Sequence, residues 1–155
     1  MPGDELLVIE YLDARGEDGN ARKYRVMMIG GKLFPLHLAI SRNWKVHYFT
    51  SDMADQPGHR EEEMAFLLDM RGVLGDKTFA ALAAICDRLA LDYAGVDFGL
   101  NANGDLLLFE ANATMVIASP PDNDPRWAYR HGAISAAIQA VVAMIRERAG
   151  VKQTG

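Results

Sequence analysis

Three oxygen-bearing side chains stand on or beside two apolar runs. Asp97 sits between Val96 and Phe98 in Tyr93–Leu100 (YAGVDFGL), Glu110 lies in residues 106–111, and Asn112 follows. Between the runs, Asn101-Ala102-Asn103-Gly104-Asp105 is dense in residues that tolerate left-handed backbone angles, which predicts a β-hairpin. Period-two alternation puts Leu106, Leu108, Glu110 and Asn112 on one face, and Leu107, Phe109 and Ala111 on the other. Pairing of the hairpin lets Asp97 approach Glu110. Two carboxylates and an amide are hard oxygen ligands of the kind Mg²⁺ or Mn²⁺ prefers. Carboxylates brought together on an apolar sheet repel and lose solvation, and a divalent cation offsets both costs. The alternative is that one or both point to water at a sheet edge.

A second set of candidates is basic. In residues 23–29 (KYRVMMI), Tyr24, Val26 and Met28 share one face and Arg25 lies opposite, with Met27 and Ile29. An arginine there either snorkels to an edge or meets an anion. Residues 41–60 show no clear period and read as a long loop, whose first half holds Arg42, Asn43, Trp44, Lys45, His47 and Tyr48. That basic and aromatic run in an acidic chain suits an anionic ligand, or else is a solvated surface. His47 and His59 have too few companion ligands for zinc. No nucleophile arrangement with Ser, His and Asp and no phosphate-binding P-loop motif is present.

Composition bounds the class. The chain has 155 residues, half of them hydrophobic, and a net charge of −5, which suits one soluble domain with a core over residues 1–150 and a frayed tail at 151–155. The charge and the lack of a basic run argue against nucleic acid as a partner. The longest apolar stretch, residues 133–145, is short for a membrane span and contains Ser135 and Gln139. The single Cys86 excludes an internal disulfide, and with no signal-peptide pattern at the start the expected compartment is the cytoplasm.

The elements that must position these residues follow in order. Residues 6–12 read as a strand, 13–21 as a loop, 23–29 and 32–40 as two strands joined by Gly30-Gly31, and the three as an antiparallel meander. Pro35 places the third at an edge or a bulge. Residues 61–70 read as a helix with an acidic first turn. Gly72 and Gly75 break it, and Asp76 caps a helix over 77–91 with Phe79, Leu82, Ala83, Cys86, Leu89 and Ala90 buried. The hairpin comes next, then a rigid turn at 119–125. A long helix over 126–148 follows, with Ile134, Ala137, Ile138, Val141, Val142 and Ile145 toward the core. Clustered strands and helices predict an α+β fold, an antiparallel β-sheet covered by helices.

Residues 91–97 (LDYAGVD) with Phe109-Glu110-Ala111-Asn112-Ala113 resemble the ATP-grasp superfamily. The likeness is to its glutathione synthase and RimK-like branch, whose members join a carboxylate to an amine. The resemblance covers residues 6–115. It implies that the chain is the C-terminal half of an ATP-grasp domain, with Asp97, Glu110 and Asn112 holding the Mg²⁺ ions that bridge the phosphates of ATP. By the same resemblance, Glu10, Tyr11, Leu12 and Asp13 belong to the linker that holds the nucleotide. Arg25 is the phosphate-side arginine. Arg42, Lys45 and His47 lie where the family places a basic loop near the transferred phosphate and the substrate. The family's N-terminal subdomain, with its lysine and glycine-rich loop, is not matched here, and residues 113–121 depart from the family's usual sequence. The resemblance therefore implies a carboxylate substrate opened by an amine or a thiol through an acylphosphate, with that subdomain as a partner. An isolated half is expected to be inactive and to bind ATP weakly, with a second copy as an alternative cover. A degenerate, non-catalytic ATP-grasp-like module is the other reading.

Overall fold

The computed structural model describes residues 8, 10–48, 51–120 and 123–150. Strand β1 (Ala21–Ile29) turns at Gly30-Gly31 into β2 (Lys32–Ser41). Both glycines have positive φ, 55° and 75°, so the turn has the left-handed pair that a two-residue hairpin requires. Helices α1 (Pro57–Leu68) and α2 (Met70–Leu89) follow, then the hairpin of β3 (Tyr93–Leu100) and β4 (Leu106–Asn112). A 3₁₀ segment, Pro125–Arg130, leads into α3 (His131–Arg148). The sheet is antiparallel throughout, in the order β2-β1-β3-β4.

The fold is α+β, with an antiparallel sheet and helices on both faces. On one face α1 and α2 bury Tyr24, Val26, Met28, Leu38, Ile40, Val96 and Phe98. On the other, Met27, Ile29 and Leu36 pack with Ile134 and Ala137 of α3 and with Met115. The alternation read from β1 therefore separates the two cores. The second core fills only part of its face, and the polar half carries Arg25 and Asp97.

Several expected elements differ. The three-strand meander is not formed: β1 lies between β2 and β3. Of residues 6–12, only Val8 and Glu10 to Leu12 are described, and none is in a strand; Leu6, Leu7 and Ile9 lie outside the described residues. Helix α1 starts at Pro57, where proline suits the first turn, so Glu61 to Glu63 fall past its first turn and Glu63 is buried. Helix α2 is capped by Asp69, which accepts from the Gly72 N–H at 2.8 Å; Asp76 instead pairs with Arg71. Gly72 stays helical and Gly75 alone breaks the run. The 41–60 segment is not one loop, since β2 takes its first residue and α1 its last four, with a 3₁₀ turn at Asp52–Ala54. In α3, Ile138, Val142 and Ile145 are exposed, because one stripe of the helix, that of Ile134 and Ala137, meets the sheet. The residues expected at the 119–125 turn include Pro121 and Asp122, which lie outside the described residues. So does the expected tail at 151–155. Pro35 sits on edge strand β2 beside a bulge, where the register steps from Arg25↔His37 to Val26↔Pro35.

Candidate functional site

Four side chains form one row across the sheet. His37 on β2 is the cross-strand partner of Arg25 on β1, Arg25 of Asp97 on β3, and Asp97 of Glu110 on β4. Directly paired residues in an antiparallel ladder share a face, so the row lies on the side that α3 only partly covers. Asn112 continues it, opposite Gly95, and its Nδ2 donates to Glu110 Oε1 at 3.2 Å. Asn112 Oδ1 accepts from Thr114 N and Oγ1 at 2.7 and 2.8 Å, which fixes the amide.

The repulsion expected between Asp97 and Glu110 is answered inside the protein. Arg25 grips Asp97 in a fork, Nε to Oδ1 at 2.6 Å and Nη2 to Oδ2 at 2.8 Å. Lys23 Nζ adds a contact to Oδ2 at 3.0 Å. Asp97 is 1 % exposed. Burial alone would raise its carboxyl, but Arg25 and Lys23 outweigh burial and hold it below the usual carboxylate range. Asp97 therefore needs no divalent cation to offset its burial beside Glu110. Asn112 turns its amide nitrogen to Glu110 and its oxygen to Thr114, so Glu110 is the carboxylate of the row left open to a hard cation such as Mg²⁺. Glu110 is the exposed member, and Asp97 is already committed to two cations.

One strand slip changes the faces of β4. Asp97 pairs with Glu110 but Phe98 pairs with Leu108, so Phe109 is the extra residue of a bulge. Leu108 and Leu106 are thereby placed on the helix-covered face, and Leu106 packs against that core. The unbroken alternation expected for residues 106–112 is corrected accordingly. Gly99 makes room for the bulge: a Cβ there would lie 2.9 Å from Phe109 Cζ and 3.1 Å from the Arg22 carbonyl oxygen.

Beside the row is a cleft of about 850 Å³, within the size range of small-molecule sites. Its lining includes Glu10, Tyr11, Leu12, Lys23, Trp44 and Phe109. Tyr11 and Trp44 meet edge to face, with ring centroids 5.8 Å apart. Three of the expected nucleotide-side residues, Glu10, Tyr11 and Leu12, thus line one aromatic cleft. Asp13 does not line it; it is bound by Arg15, with Nη2 to Oδ2 at 2.7 Å. Arg42, Lys45 and His47 are exposed on the segment that also carries Trp44. The Arg42 N–H donates to Asp52 Oδ2 at 3.0 Å, and its contacts are with that turn rather than with the Asp97 row.

Lys23 is the residue the sequence reading missed. It is two positions before Arg25, so the same alternation that placed Arg25 places Lys23 on its face. Trp44 and Phe109 were missed as cleft residues because one depends on a loop path and the other on the bulge.

His37 closes the row at its buried end. Its ring stacks on Tyr48 with centroids 4.6 Å apart, and its Nε2 finds no hydrogen-bond partner among the described residues. Burial, helped by the positive charge of Arg25 and Arg130, keeps His37 neutral far below its ordinary range. The unfolded chain takes up a proton near pH 6.5 and the folded chain does not, so stability is full above about pH 6.5 and falls as pH drops. The expected slope is up to about 1.4 kcal/mol per pH unit below pH 6.5. Urea denaturation at pH 7 and pH 5 measures it, and His37→Phe, which keeps the ring stack, is expected to remove this part of the loss.

Compared with protein-family models, curated proteins and solved structures, the chain matches none.

Proposed function

We propose that this domain binds ATP with Mg²⁺ as the C-terminal half of an ATP-grasp carboxylate–amine or carboxylate–thiol ligase. The observation that supports this reading is the position of Lys23. It lines the aromatic cleft and also reaches Asp97 at 3.0 Å, so a slot for a planar ring runs directly into a charged row. A base fits beside Tyr11, Trp44 and Phe109, and the phosphates reach Lys23 and Arg25. Arg25 spends only its Nε and Nη2 on Asp97, which leaves Nη1 uncommitted among the described contacts. That second edge suits a phosphate oxygen.

Glu110, with Asp97 behind it, would hold Mg²⁺, and the Asn112 amide oxygen would join them on leaving Thr114. When bound, the ion supplies charge neutralisation on phosphate oxygens. The chain's own part is positioning and positive charge from Lys23 and Arg25, the main contribution a protein makes to phosphoryl transfer. Arg42, Lys45 and His47 stand on the neighbouring segment as the candidate contacts for the acceptor carboxylate.

Titration with ATP and Mg²⁺, followed by backbone amide shifts, tests the reading. Shifts are expected at residues 10–12, 23–25, 44, 97 and 110–112. A half-cleft leaves much of the nucleotide in water, so the expected Kd is about 1 mM. Arg25→Gln is expected to weaken binding about tenfold, close to 1.4 kcal/mol. No shifts in that set at saturating ATP and Mg²⁺ would sink the reading. A second reading, a binding module without turnover, draws on the fact that Asp97 is already neutralised by two side chains. It requires ATP to bind equally well with Mg²⁺ and with a chelator present.

A further inference from the structure

Outside the row, the most unusual group in the molecule is Glu63, a carboxylate with 0 % exposure in the wall between α1 and the edge of the sheet. It gathers three segments around α1. The Leu38 N–H on the outer side of β2 donates to Oε1 at 3.3 Å. The Tyr48 hydroxyl donates to Oε2 at 3.1 Å, and the Tyr129 hydroxyl donates to the same oxygen. Arg130 lies 3.4 Å from Oε1. A carboxylate is costly to bury, and this one is held by hydroxyls, an amide and a guanidinium.

Tyr48 is fixed from every side. Its ring lies against His37 at 4.6 Å and has the Arg130 guanidinium 4.4 Å from its centroid. Its carbonyl oxygen accepts from Ser51 Oγ at 2.6 Å. Tyr48 ends the segment 42–47 that runs past the cleft and carries Arg42, Trp44, Lys45 and His47. The segment's further ties include Val46 buried against Ala21 and Ala39, the Asn43 N–H on Ser41 Oγ at 3.2 Å and the Arg42 N–H on Asp52 Oδ2 at 3.0 Å. Trp44, which forms part of the cleft wall, is 64 % exposed and meets Tyr11 edge to face.

We propose that Glu63, acting through Tyr48, is a positioning residue that holds segment 42–47 against the cleft, so that a group buried on the opposite side of the sheet edge sets the ligand-binding wall. The ligand-binding part of this inference rests on the ATP reading above; the anchoring part does not. Hydrogen bonds to a buried charge are directional, and losing one releases the segment at the end away from β2.

The test is native-state trypsin cleavage, scored by mass spectrometry as cuts after Arg42 and Lys45 relative to cuts after Lys77 and Arg88 in α2. Tyr48→Phe keeps the ring stack and removes only the hydroxyl. It is expected to raise the relative rate at Arg42 and Lys45 about fivefold through local opening. Glu63→Gln is expected to do the same. Tyr129→Phe removes a Glu63 hydrogen bond that comes from another segment, and is expected to lower the melting temperature without faster cutting at Arg42 and Lys45. In the ATP and Mg²⁺ titration, Tyr48→Phe is expected to raise Kd about tenfold. Unchanged relative cutting in Tyr48→Phe overturns the anchor, whatever Glu63→Gln does to folding. Equal acceleration by Tyr129→Phe also overturns it, since the effect is then general destabilisation. Faster cutting in Tyr48→Phe, together with no ATP binding by the unmodified chain, upholds the anchor and refutes the nucleotide reading separately.

Discussion

Asp97→Ala is expected to lower the unfolding free energy by about 3–5 kcal/mol, the loss that follows when one partner of a buried ion pair is removed. Arg25 and Lys23 both close on this carboxylate, at 2.6 and 3.0 Å, and their side chains are largely enclosed. Without Asp97 they stand side by side on one face of β1 with their shared counter-charge gone, and Glu110 lies at the rim beyond. Most of the loss comes from what is left behind. Asp97→Leu combined with Arg25→Met and Lys23→Met removes the stranded charges and is expected to recover most of the stability. Urea unfolding of the single and triple variants measures both values. If Asp97→Ala costs under about 1 kcal/mol, in the range of exposed pairs, the row is solvated and Asp97 is not the buried counter-charge of Arg25 and Lys23.

Phe66→Ala is expected to cost a similar amount, about 3–5 kcal/mol, by a different route. Phe66 is fully buried and meets Tyr24 edge to face, with centroids 5.1 Å apart; Tyr24 in turn stacks on Phe98 at 5.3 Å. The three rings fasten α1 to β1 and β3. Truncation leaves a cavity between rigid rings that cannot close in. Glu63 lies one helical turn before Phe66, so the same change loosens the carboxylate that holds Tyr48. Denaturant unfolding gives the magnitude, and the trypsin cut ratio at Arg42 and Lys45 is expected to rise with it.

The parts of this molecule legible in its sequence are those whose cause is local. Gly30-Gly31 between two alternating runs can turn in few ways, and the run from Asn101 to Asp105 carries its own hydrogen bonds: Asn101 Oδ1 accepts from the N–H groups of Asn103 and Asp105 at 2.9 and 2.8 Å. The facing of Asp97 and Glu110 followed from the hairpin alone. What was not legible depends on distant chain. The Phe109 bulge exists where Gly99 meets Ala14 and Phe109, segments 85 residues or more from Ala14 in the chain's order. The partners of Glu63 come from β2, residue 48 and the 3₁₀ segment, and no period in α1 announces them. Lys23 was within reach, since the alternation that singled out Arg25 applies to it equally. A lysine at the start of a strand otherwise suits a solvated end.

The Phe109 bulge also bears on whether the open edge of the sheet can recruit another strand. Among the described residues β4 is the last strand of the sheet, and its sequence, LLLFEAN, is apolar but for Glu110 and Asn112. Such an edge is a template on which another chain can add a strand and begin an aggregate. The extra residue puts the backbone donors and acceptors out of step at mid-strand and twists the edge, so an incoming straight strand cannot pair along its length. The charge next to the bulge must then be desolvated by any strand that tries. Glu110 and Phe109 together act as a gatekeeper, and the position proposed to meet a cation also guards the open edge against self-assembly.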